Sequence, residues 1–173
     1  MSFLGGAAAG LAAHEGGHLL FDAMFDAHPG LDRVSFWGIP FFAITHTPVS
    51  PRQEYTIAAA GFWVQNGTSE WLLVRRPNLR HERAPFAKGL LAFNVLASIA
   101  YGGAAFARAG PPERDTRGMA QALGVSEPWV GALVIAPALL DTVRYVRPDS
   151  RWARWTSRGS KIALVVLVAA AGR

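Results

Sequence analysis

The chain contains no cysteine, which excludes disulfide bridges and thiolate metal ligands together. Any bound transition metal must therefore rest on His, Asp or Glu. Charge is scarce as well: 17% of the 173 residues are Asp, Glu, Lys or Arg, against ~25% in ordinary soluble domains, and 51% are hydrophobic. The net charge is +5, but the basic residues form no continuous stripe beside aromatics, which argues against nucleic acid as a partner. No internal repeat, low-complexity tract or long linker breaks the chain, and a single unit over residues 1–173 is expected.

The apolar residues are gathered into segments. Four run over about residues 3–25, 54–74, 85–107 and 128–146, and a shorter one covers 162–172. At 1.5 Å per residue the four longer ones each suffice to cross a hydrocarbon layer of ~30 Å; the fifth reads as a short or partial span. Between the first and second lies a stretch of different texture, in which Val34, Phe36, Trp37, Ile39, Phe41, Phe42 and Ile44 are broken by Pro40, Pro48 and Pro51. β-branched and aromatic residues in such short runs predict one or two extended strands, as in a hairpin. The expected fold class is thus an all-α polytopic membrane protein of four to five transmembrane helices, with a short β-hairpin-like insertion after the first.

The basic residues test this division independently. Arg75, Arg76, Arg80, Arg83 and Lys88 separate segments two and three, and Arg147, Arg151, Arg154, Arg158 and Lys161 flank the link from four to five. The other two connections hold only Arg33 and Arg52, and Arg108, Arg114 and Arg117. Rich loops alternating with poor ones are what a cytoplasmic N-terminus would give. The expected location is an integral one, in a bacterial inner membrane, with the bilayer as the surrounding partner. In the third connection Arg114, Asp115 and Arg117 read as a solvated charge cluster at the outer face.

Within the first segment stands His14-Glu15-Gly16-Gly17-His18. Residues four apart share a helix face, so both imidazoles can reach one metal ion with Glu15 beside them. This is the H-E-x-x-H spacing of zinc peptidases: two ligands and a base for the metal's water. Because the first segment carries this motif, it is expected to be retained and not cleaved as a leader. A third ligand must come from elsewhere. The carboxylates isolated in apolar segments, Glu70 and Asp141, are the candidates, since such groups are costly in a membrane and usually have a partner. His14 lies about 16 Å along segment one and Asp141 about 20 Å along segment four, which runs the opposite way; their levels then differ by only ~6 Å.

The order of features resembles the site-2 protease family of intramembrane zinc metallopeptidases. Ala60-Gly61-Phe62-Trp63-Val64-Gln65-Asn66 is similar to that family's polar helix opening, and Pro137-Ala138-Leu139-Leu140-Asp141-Thr142 to its third-ligand motif. Phe62 stands where the family has proline and Thr142 where it has glycine. The resemblance implies a Zn²⁺ site of His14, His18 and Asp141 with Glu15 as catalytic base; Glu70 stays the alternative third ligand, since another class of zinc peptidase uses a downstream glutamate on a separate helix. It also implies a membrane-protein or peptide substrate cut in or near the membrane. Gly61, Gln65, Asn66, Asn94 and His46 are the small or polar positions expected to line such a site. A non-catalytic membrane protein that binds metal or a partner through the same pocket, and a soluble helical hydrolase, are the alternatives.

Overall fold

A computed structural model describes residues 2–36 and 39–172; Trp37, counted above among the strand residues, lies outside them. Among the described residues the order is α1 (Phe3–Met24), β1 (Gly30–Phe36), β2 (Ile39–Thr45), α2 (Pro51–Arg75), α3 (Pro85–Ala107), α4 (Asp115–Leu123), α5 (Glu127–Val146) and α6 (Arg151–Val166). Single 3₁₀ turns cover Leu79–His81 and Leu167–Ala169. The protein is mostly helical, with one two-stranded antiparallel sheet whose register pairs Gly30 with Thr45 and Phe36 with Ile39.

Local chemistry sets the helix ends. The Ser2 side chain accepts from the Gly5 N–H at 3.0 Å, and Ser50 and Gln53 form a reciprocal capping box with Pro51 in the first turn of α2. Pro85 opens α3, where its missing N–H would be unpaired in any case. Gly124, at φ 66°, ends α4 in a left-handed conformation that glycine adopts without penalty.

Helix α3 packs against both α1 and α5, and α1 also packs on α2. The contact of α1 with α3 is backbone on backbone. A Cβ on Gly6 would lie 2.0 Å from the Phe86 carbonyl oxygen, and one on Gly89 only 1.9 Å from that of Phe3. Glycine is what allows this approach. The main apolar core joins α2, α4, α5 and α6 through Tyr55, Phe62, Met119, Val130, Val134 and Leu164.

The structure refines two expectations. First, the last apolar segment continues a longer helix: α6 begins at Arg151, and its buried face is Ala153, Ser157, Lys161 and Leu164. It is tied to α2 where Leu164 O accepts from Tyr55 Oη at 2.6 Å and from Trp63 Nε1 at 3.3 Å. Its continuation reaches α4, Gly172 donating to Ala122 O at 3.1 Å. Second, of the four to five expected spans, two helices among the described residues, α3 and α5, are long and apolar enough to cross a membrane. In α1 the groups His14, Glu15, His18 and Asp22 lower the apolar content, and in α2 Arg52, Glu54, Gln65, Asn66 and Glu70 do so.

Candidate metal centre

His14 and His18 are both buried on the face of α1 that meets α2. The His14 ring lies between Phe62 and Tyr101, with its centroid 5.6 Å from each. Gly61 makes room for it: a Cβ there would fall 2.3 to 2.6 Å from three atoms of the ring. His18 Nδ1 lies 2.7 Å from the Ile57 carbonyl oxygen and donates to it, which assigns the lone pair of the neutral ring to Nε2. His14 Nδ1 is buried and has no hydrogen-bond partner among the described residues.

The third group is Asp115, the first residue of α4. Its Oδ2 lies 3.3 Å from His14 Nε2 and 3.5 Å from His18 Nε2, and the two nitrogens are 3.2 Å apart. Three donors bound at ~2.0–2.1 Å around a tetrahedral zinc are separated by roughly 3.3–3.4 Å, so this triangle has the dimensions of one face of such a tetrahedron. The donor set could therefore hold a metal ion. Burial alone would raise the pKa of Asp115, but the charge of His18 and the hydrogen bond to His14 outweigh it and hold the carboxyl well below its usual range. A ligating carboxylate has to be ionised.

Asp141 and Glu70, the two expected third ligands, are elsewhere. Asp141 Oδ1 accepts from Ser157 Oγ at 2.7 Å, Lys161 Nζ at 2.8 Å and Arg144 Nη1 at 3.2 Å. Glu70 accepts from Arg144, from Arg158 Nε at 2.8 Å and from Lys161 Nζ at 3.1 Å. Among the described residues, the group that could hold a metal is His14, His18 and Asp115. The physical reason is that α3 stands between α1 and α5, so similar depth does not bring Asp141 to the histidines.

Of the expected lining positions, Gly61 touches His14 as described. Gln65 and Asn94 instead join α2 to α3: Asn94 Nδ2 donates to Gln65 O, Thr68 Oγ1 and Ser69 Oγ at 2.9 to 3.1 Å, and Ser98 Oγ donates to Gln65 Oε1 at 3.2 Å. Asn66, half-buried, lines neither cavity at the site. His46 does, with its Nε2 3.5 Å from Glu54 Oε2.

Two cavities adjoin the triangle. One of about 270 Å³ is lined by Glu15, His18, Glu113, Arg114 and Asp115 together with mainly apolar residues of β1, β2 and α3, including Val34, Ile44, Ala100, Tyr101 and Ala104. The other, about 190 Å³, is more polar and is lined by His46, Glu54 and Gln121 as well as His18 and Asp115. Glu15 thus lines a mostly apolar cavity together with His18 and Asp115.

Comparison of the chain with protein-family models, with curated proteins and with solved structures finds no match.

Proposed function

We propose that the protein is a membrane-embedded, zinc-dependent peptidase that hydrolyses peptide bonds in or near the bilayer. The observation that carries this reading is the His14, His18 and Asp115 triangle, sized for zinc, with Glu15 on the adjoining wall of an apolar cavity. Bound there, the metal would lower the pKa of its water and polarise the scissile carbonyl. Glu15 would serve as the base that accepts a proton from the attacking water and passes it to the departing amine. The apolar cavity seats hydrophobic side chains of an unwound substrate segment.

The placement in a membrane is supported by an inverted pattern of burial. Helix α1 buries Gly6, Gly10, His14, Gly17, His18 and Asp22, while Leu4 and Met24 are 78% and 65% exposed. Helix α3 likewise buries Gly89, Asn94, Ser98 and Gly102 and turns Leu96, Ile99 and Phe106 outward. Only 28% of its apolar window is buried, whereas the core helix of a soluble protein hides most of its apolar surface. Small and polar groups inside with leucines outside suit lipid. On α6, Trp152, Trp155, Ile162 and Val166 are exposed while Ser157 and Lys161 are buried. The alternation of basic loops supports a cytoplasmic N-terminus.

The test is Glu15→Gln. It should keep wild-type zinc content in detergent while cleavage of a labelled single-span peptide falls about 10²–10⁴-fold, the usual contribution of a general base. Wild type that holds zinc but cleaves nothing, with no effect of the substitution, would instead indicate a metal-binding protein without peptidase activity.

A further inference from the structure

Asp115 comes from a helix of nine residues, too short to be stable by itself, and it follows the Gly110-Pro111-Pro112-Glu113 connection. Something outside α4 has to fix its first turn. The body of α4 is anchored by apolar contacts of Met119, Ala120 and Ala122 and by the close approach of Gly118 to Glu54 and Ala58 on α2. Those contacts lie four or more residues beyond Asp115 or, for Gly118, nearly one turn on.

The residues on either side of Asp115 are both held by one carboxylate, at the start of α5. Glu127 Oε1 accepts from Arg114 Nε at 2.6 Å and from Thr116 Oγ1 at 2.9 Å, and its Oε2 pairs with Arg114 Nη2. The Arg114 guanidinium also donates through Nη1 to Pro111 O at 2.9 Å and Gly110 O at 3.3 Å, which ties the connection to the same point. The Arg114 and Glu127 side chains are each only 10% exposed, so the pair is sheltered from water and its geometry is worth more than that of a surface ion pair.

The geometry points to Glu127 as the positioning residue that holds the Asp115 carboxylate against His14 and His18. This rests on the metal-centre reading and adds to it. Glu127 contributes no ligand atom. It clamps the two neighbours of the ligand, much as outer-shell carboxylates orient metal-bound histidines in other sites. Removing the clamp should loosen the first turn of α4 while the Met119 and Gly118 contacts keep the rest of the helix docked, so the variant should fold.

The experiment compares wild type, Glu127→Gln and Glu127→Ala in detergent, with Glu82→Ala as a control that removes the Arg76–Glu82 ion pair. Three readouts are taken: zinc affinity by chelator competition, melting temperature of the metal-free protein, and the ¹⁵N signals of the His14 and His18 rings without metal. Glu127→Ala should bind zinc about 10–100-fold more weakly, the usual effect of losing an outer-shell partner. Glu127→Gln, which can still accept from Thr116, should fall between it and wild type, and Glu82→Ala should match wild type. The His14 and His18 ring signals should shift in Glu127→Ala, since their Asp115 neighbour moves. Unchanged ring signals and zinc affinity within twofold of wild type, whatever the melting temperature, would overturn the proposal and leave Glu127 a purely structural residue. Wild type without zinc affinity would defeat the metal-centre reading alone; the ring signals would still decide whether Glu127 positions Asp115.

Discussion

Asp115→Ala is expected to lose zinc as completely as a change at either histidine. One of three protein donors disappears, and the remaining two nitrogens, 3.2 Å apart, cannot by themselves enclose a tetrahedral ion. The affinity should fall by more than about 100-fold, beyond the 10–100-fold that follows the loss of an outer-shell partner. Chelator competition with metal analysis of the purified protein measures this directly. The matching change at Asp141 should leave zinc in the folded protein. Were Asp141→Ala to release the metal while Asp115→Ala retained it, the arrangement described here would be incorrect, and the sequence-based choice of Asp141 would be restored.

Asp141→Ala should act on stability instead. The carboxylate is 2% exposed and accepts from Ser157, Lys161 and Arg144. Without it, Lys161 and Arg144 share Glu70 alone with Arg158, and a cluster with two acids and three bases becomes one acid facing three bases. Breaking a buried ionic group by removing one partner costs about 3–5 kcal/mol. For a chain of this length that corresponds to a fall of about 10 °C or more in melting temperature. Thermal unfolding of the detergent-solubilised protein followed by circular dichroism would show it. A melting temperature within two or three degrees of wild type, roughly the effect of 1 kcal/mol, would mean that the cluster contributes little.

The same two aspartates show how far the sequence could lead. The H-E-x-x-H motif could be read without a structure because its geometry is local: a helix places residues 14 and 18 on one face whatever surrounds it. The hairpin was legible from its β-branched and aromatic residues, and α3 from its unbroken apolar run. The inverted character of α1 was already present in its glycines and histidines, although which side of it faced inward was not.

The acid that stands beside the two imidazoles could not be found in this way. Asp115 looked like part of a solvated charge cluster, with arginines one residue before and two residues after it. Nothing in that local pattern separates a surface carboxylate from a half-buried one, because the difference is made by Glu127, further along the chain, which draws Arg114 and Thr116 inward. One signal was available. His14 and His18 lie in the second half of α1, on the side where the 108–127 connection joins α3 to α5, and that connection holds Asp115. Depth along a helix is one coordinate, and it made Asp141 look suitable. The lateral order of the helices is another, and it depends on which surfaces pack.

What the sequence determined by itself was therefore a His-Glu-x-x-His motif with both imidazoles on one helix face, ahead of a small sheet. These follow from spacing and composition, which act over a few residues. The tertiary structure alone decided which acid stands beside the two imidazoles. With α3 interposed between α1 and α5, Asp141 is left to neutralise Lys161 and Arg144, and the short α4 carries Asp115 to within 3.5 Å of both imidazoles.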